Sequence, residues 1–269
     1  MNVLLVLAFV FYIGSTLGWV LELFYRRFFS ANNPERKWIN PGFCVGPYVP
    51  LYGCGLCLMY GLSEFERSLS VGSPVLQKVV FFIAAGLAMT LLELLFGLLA
   101  LNYAHVMLWD YSKLKFNYKG LICPQFTLAW TALCAFYYYV MHPYIRDAVA
   151  WLEANLGLSF FLGVFFGVFA VDLVYSAQLL AKIRKFAADN QIIVRFERLK
   201  SQVRSANERR REKINFLLSF RSEESITEHL AAYKEQLMTE LSAQKAQLEE
   251  RIKQQKEQLS DKISKYRRD

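Results

Sequence analysis

Several familiar signatures are missing from this chain. No Gly-x-x-x-x-Gly-Lys-Ser/Thr segment occurs in it, so it has no phosphate-cradling loop and is not expected to hydrolyse ATP by itself. No basic region precedes the first apolar run, which begins Met1-Asn2-Val3-Leu4 and outruns the core of a secretory signal; it is expected to persist as a membrane span. Cysteine is sparse and odd in number. Cys44, Cys54, Cys57, Cys123 and Cys134 lie in or beside apolar runs, which excludes a disulfide scaffold and reads as small buried thiols. Cys54-x-x-Cys57 has no neighbouring His or second Cys pair, so packing is expected there rather than zinc.

Charge is the other scarcity, and it is unevenly distributed. The 269 residues are 55% hydrophobic and 16% aromatic and carry 31 Lys+Arg against 23 Asp+Glu, a net charge of +8. Up to Leu180 there are 10 basic and 9 acidic residues; the last 89 hold 21 and 14. The balance is +1 and then +7. The first segment is too apolar for a water-solvated surface around one core. A bilayer-embedded region followed by a basic aqueous tail accounts for both.

Five stretches reach the roughly 20 apolar residues that cross a bilayer. They run from about 2 to 25, 44 to 62, 79 to 101, 121 to 141 and 156 to 180, with only Glu22, Glu93 and Asp172 charged among them. Lys and Arg in short loops set orientation. Arg26, Arg27, Arg36 and Lys37 follow the first stretch and Lys113, Lys115 and Lys119 the third, whereas the other loops offer little beyond Arg67 and Arg146. The expectation is a multi-pass cell-membrane protein of all-α class, with its N-terminus outside and its C-terminus cytoplasmic.

Two blocks echo each other. Glu22 is followed sixteen residues later by Trp38, then Asn40, Gly42 and Gly46-Pro47; Glu93 is followed sixteen residues later by Trp109, then Asn117, Gly120 and Cys123-Pro124. Both hairpins turn on the same side, so the repeat is expected to be parallel, about an axis along the membrane normal. Gly18-Trp19-Val20-Leu21-Glu22, Trp38 through Asn40 and Gly42, Gly46-Pro47 and Tyr52-Gly53 resemble bacterial ABC-transporter permeases of the CmpB type (type IV). Trp109-Asp110-Tyr111-Ser112 through Asn117 and Gly120 to Cys123-Pro124 is similar to that family's second signature. The resemblance covers residues 5 to 180. It implies an integral membrane protein linked to transport, and supplies neither a substrate nor a set of catalytic residues.

An ionisable side chain inside a span faces a partner or an aqueous cavity. Glu22, Glu93 and Asp172 are therefore read as a polar site on the inner half of the bundle, on a substrate path or fixing the hairpins. Arg26, Arg36 and Lys37 are candidate partners of the two glutamates. The prolines at 47 and 50 interrupt the second stretch, leaving either a broken helix beside a path or a plain proline-capped entry. His105, Asp110 and Ser112 form no triad by proximity, and no nucleophile elbow occurs, so no enzyme, metal or cofactor is expected.

The domains are read as 1–181 (transmembrane), 182–225 (basic juxtamembrane) and 226–269 (cytoplasmic coiled coil). Arg195, Arg198, Lys200, Arg204, Arg209, Arg210, Arg211 and Lys213 form a basic run suited to anionic lipid headgroups, with Arg209, Arg210, Arg211 and Lys213 assigned to headgroup contact. Lipid is a nearer polyanion than nucleic acid. Beyond Ile226, Leu237, Leu241, Leu248, Ile252, Leu259 and Ile263 recur with an eleven-residue period. That period favours a straight or slightly right-handed coil, and with it a homo-oligomer or a helical protein partner. Two functions fit: a permease-like subunit served by a separate ATPase, or a membrane-anchored scaffold or sensor working through its coiled coil.

Overall fold

The computed structural model describes residues 2–30, 33, 35–68, 73–209, 220 and 225–266; for 209 and for 258–266 it describes the backbone alone. The chain is mostly helical and divides into two units, Met1–Ser222 and Glu223–Asp269.

In the first unit the long apolar runs form helices because the backbone then satisfies its own hydrogen bonds. Helix α1 spans Val3–Phe28, started by the Asn2 side chain accepting from the Leu4 amide. Helix α2 spans Pro50–Ser68. Helix α3 spans Pro74–Ala104; Ser73 caps its start, and left-handed His105 closes its end. Helix α4, Pro124–Phe136, passes through a π-helical turn at Tyr137–Met141 into α5, His142–Ala154. The widened turn sits just before Pro143, which lacks an amide hydrogen and crowds the preceding turn. A 3-10 turn at Leu156–Leu158 leads into α6, Ser159–Asp189.

Two-residue strands β1, Val106–Met107, and β2, Val194–Arg195, pair in parallel, tying the α3–α4 connection to the chain after α6. Helix α7, Phe196–Arg209, follows directly. The apolar core gathers Val10, Met59, Ala85, Met89, Trp130 and Cys134, and a smaller cluster joins Cys44 and Tyr48 to Phe169.

Among the described residues, three helical segments, Val3–Phe28, Pro74–Ala104 and Leu156–Asp189, are long and apolar enough to cross a membrane. The other two expected stretches take different forms. Residues 44–49 are not helical, and α2 begins only at Pro50. The fourth starts three residues late at Pro124 and ends in the π turn at Tyr137–Met141, which runs on into α5. Helix α6 runs through position 181 to Asp189 without a break.

In the second unit, α8 spans Ile226–Tyr266, about 60 Å at 1.5 Å per residue. Its start is a capping box: the Ser225 hydroxyl accepts from the Glu228 amide at 3.3 Å, and Glu228 accepts from the Ser225 amide at 2.8 Å. Leu241, Leu248 and Ile252 of the eleven-residue pattern are exposed. Leu259 and Ile263 lie where side chains are not described.

Helices α1 and α2 approach closely through small residues. A Cβ at Gly14 would lie 2.6 Å from Leu56 Cβ, and one at Gly18 would collide with the Tyr52 ring. Van der Waals packing of this kind holds helices together in lipid. Gly18→Leu is therefore expected to destabilise the protein by about 1–3 kcal/mol through overpacking. Gly61→Leu, at a position with nothing within 4 Å of a new Cβ, should change little. Thermal unfolding of the two variants in detergent compares them directly.

Candidate functional site

The α1–α2 and α3–α4 connections lie at the same end of the bundle as Glu22 and Glu93. Glu22 stands six residues before the end of α1 and Glu93 eleven before the end of α3, depths of about 9 and 16 Å. Each connection contains a glycine at positive φ, Gly42 at 73° and Gly120 at 71°, which only glycine adopts without strain.

Asparagine side chains organise both turns. Trp19 Nε1 donates to Asn40 Oδ1 at 2.6 Å, while Asn40 Nδ2 donates to the carbonyls of Cys44 and Val45. Asn117 Nδ2 donates to the carbonyls of Ser112 and Leu114, and its Oδ1 accepts from the Gly120 amide. Trp109 Nε1 donates to the Leu121 carbonyl at 2.8 Å. Asp110 Oδ1 accepts from the Ser112 amide, an ordinary Asx turn, and His105 is the cap of α3.

The two glutamates line one cavity of ≈ 100 Å³, together with Arg26, Tyr52, Trp109, Tyr111 and Trp130. Glu22 accepts from Tyr52 Oη at 2.9 Å and from Arg26 Nε at 2.9 Å. Arg26 also pairs with Glu197 of α7. Glu93, only 2% exposed, accepts from Tyr111 Oη at 2.9 Å and Trp130 Nε1 at 3.1 Å. Both donors are neutral, and among the described residues no cation bonds to Glu93. Burial, and then the Glu93 carboxylate, push the Tyr111 phenol far above its ordinary range, so it remains a donor. Tyr111 is held in place by stacking on Phe126 at 4.2 Å.

Of the three carboxylates expected at one site, the structure brings Glu22 and Glu93 together and places Asp172 elsewhere. Asp172 accepts from the Val45 amide at 3.0 Å, the Gly46 amide at 2.7 Å, the Tyr48 phenol and the Ser176 hydroxyl. It pins the irregular 44–49 segment to α6 just before α2 begins at Pro50. Of the candidate partners for the glutamates only Arg26 serves. Lys37 pairs with Glu35 and Glu208, and Arg36 exchanges hydrogen bonds with Arg27. Cys57 donates to the Leu7 carbonyl, and both Cys54 and Cys57 are free thiols.

Part of the basic run after α6 is engaged within the first unit. Arg195 pairs with Asp110 at 2.9 Å, Arg204 donates to the Trp38 carbonyl and pairs with Glu208, and Lys200 donates to the carbonyls of Asn40 and Gly42 at 2.9 and 2.8 Å. These three cations hold the start of α7 onto the two connections. The side chain of Arg209 and all of Arg210, Arg211 and Lys213 lie outside the described residues. Sequence reasoning missed Trp130 and Glu197 as members of the polar network. An aromatic in an apolar run and an acid in a basic run carry no local sign of such roles.

Two outcomes follow from these contacts. Asp172→Ala removes the acceptor of two buried amides, an expected loss of about 3 kcal/mol or more. It should also open buried Cys44 to thiol labelling, whereas Ser176→Ala should not. Burial pushes the Lys200 ammonium down to about 8, against the pull of Glu197, from an ordinary 10.5. Between those values the unfolded chain binds more protons than the folded one, so stability should rise with pH across that window. Melting temperatures of wild type and Lys200→Met from pH 7 to 10 test this, the variant being expected to lose part of the upward slope.

Residues 9–177, more than half of the chain, match the family model described as "Putative ABC-transporter type IV", of CmpB type. No curated protein and no solved structure gives a significant match. The match spans both turn motifs, both cavity glutamates and Asp172, and the chain belongs to this ABC-transporter-related family of membrane proteins.

Proposed function

We propose that the chain is the membrane-embedded, permease-like component of a transport system, that it has no ATPase of its own, and that the Glu22–Glu93 cavity is the polar site on its substrate path. The observation that carries this reading is the cavity itself. Two carboxylates from two long apolar helices meet there beside a single guanidinium, deep within the run of each helix. Ionisable groups within spans face partners or aqueous cavities, and such residues are the natural candidates for a solute or ion path.

In this reading the chain crosses a bacterial inner membrane five times, N-terminus outside. Helix α2 and the α4–α5 run act as shorter or bent crossings beside the three long ones. The left-handed glycines, the turn-organising asparagines and the carboxylate–tyrosine bonds, Glu22 to Tyr52 and Glu93 to Tyr111, support a parallel internal repeat. Both connections then face the cytoplasm. There Phe116, 89% exposed and flanked by Lys115 and Lys119, offers an apolar anchor for a separate ATPase subunit. Anionic lipid headgroups are the partners assigned to Arg209, Arg210, Arg211 and Lys213.

A second reading, a scaffold or sensor acting through a coiled coil, is favoured by exposed Leu241, Leu248 and Ile252 on the 41-residue α8. One experiment separates the two. A photo-crosslinker at Phe116, activated in cells, is expected to capture an ATPase bearing a phosphate loop, with capture surviving deletion of residues 226–269. Capture that instead depends on α8 and yields no ATPase would reject the permease reading.

A further inference from the structure

A second cavity adjoins the polar one. It is a groove of ≈ 130 Å³ among α1, α2, α3 and α4, walled by Leu17, Leu56, Met89 and Leu133 and almost devoid of polar surface. Leu17, Leu21 and Phe136 at its margin are exposed on the apolar face of the bundle, so the groove opens sideways onto the surroundings of the helices. Tyr52 and Trp130 line both spaces, their rings 5.6 Å apart. Each presents an apolar ring to the groove, while its polar tip reaches into the cavity: Tyr52 Oη to Glu22 and Trp130 Nε1 to Glu93. An apolar channel and an acidic chamber thus share a two-residue aromatic partition.

The charges in the chamber define what belongs there. Among the described residues its lining holds two carboxylates and one guanidinium. Arg26 already serves Glu22 and Glu197, leaving Glu93 with neutral donors only. A buried carboxyl held only by neutral donors leaves a place for a cation as its charge partner. We infer that the site takes an amphipath with a protonated amine head and one apolar chain, the ammonium meeting Glu93 and the chain lying in the groove after lateral entry from the bilayer. This deepens the proposed function and rests on the membrane reading of the bundle. An anionic head would meet two carboxylates, and a neutral head would bring Glu93 no charge partner.

The test uses the full chain in phosphatidylcholine nanodiscs, with N-dansyl-1,12-diaminododecane as the probe and its dansyl emission as the readout against empty discs. Dodecylamine is expected to displace the probe at about tenfold lower concentration than dodecanol, the margin of one desolvated charge pair. Ethylamine, which has the head without the chain, should fail. Glu93→Gln should weaken probe binding about tenfold. Leu17→Trp, a change at an exposed groove position that leaves the core untouched, should weaken it as well. Equal displacement by dodecanol and dodecylamine in the wild-type protein overturns the inference, as does unchanged binding in both variants. The two proposals fail separately. An ATPase captured at Phe116 without amine binding leaves the permease reading standing and removes this substrate class. Amine binding without any ATPase does the reverse.

Discussion

In hydrocarbon an amide or carboxylate without a partner costs several kcal/mol, and that constraint organises this protein more than any apolar contact does. Asp172 is where it acts most visibly. A carboxylate in the middle of a long apolar helix must find donors, and it finds two backbone amides, a phenol and a hydroxyl. Three of these donors come from the non-helical 44–49 segment. That segment is not helical, so its amides look outside the segment for acceptors. Each need satisfies the other just before α2 begins at Pro50.

The same reasoning extends to the connection end. Carbonyls freed by the turn at Gly42 would be buried without donors, and Lys200 supplies them from a helix some 160 residues later. Arg204 does the same for Trp38, and Arg195 for the carboxylate of Asp110. Helix α7 is thus part of the structure that closes the cavity from below, with Phe196 lining it and Glu197 sharing Arg26.

Much of the architecture was legible because apolar runs and charges have local consequences. The three long helices, the glutamates at matched positions and the start of α8 all follow from residues read in short windows. Glu22 and Glu93 share a cavity, as the matched blocks implied, and they differ in a way those blocks did not reveal. Glu22 has a cation four residues along its own helix, a spacing visible in the sequence. Glu93 has no such neighbour, and its donors come from a loop and from another helix.

What the sequence determined by itself was which segments must leave water and which residues inside them would need partners, because transfer free energy is a property of each side chain. What only the tertiary structure decided was who those partners are. Asp172 reads identically whether it lines a path or clamps a loop, since Val45 and Gly46 lie more than 120 residues away and donate through backbone atoms that every residue possesses. Lys200 reads as a lipid-facing cation until packing encloses it, because burial depends on what covers a residue and not on the residue itself.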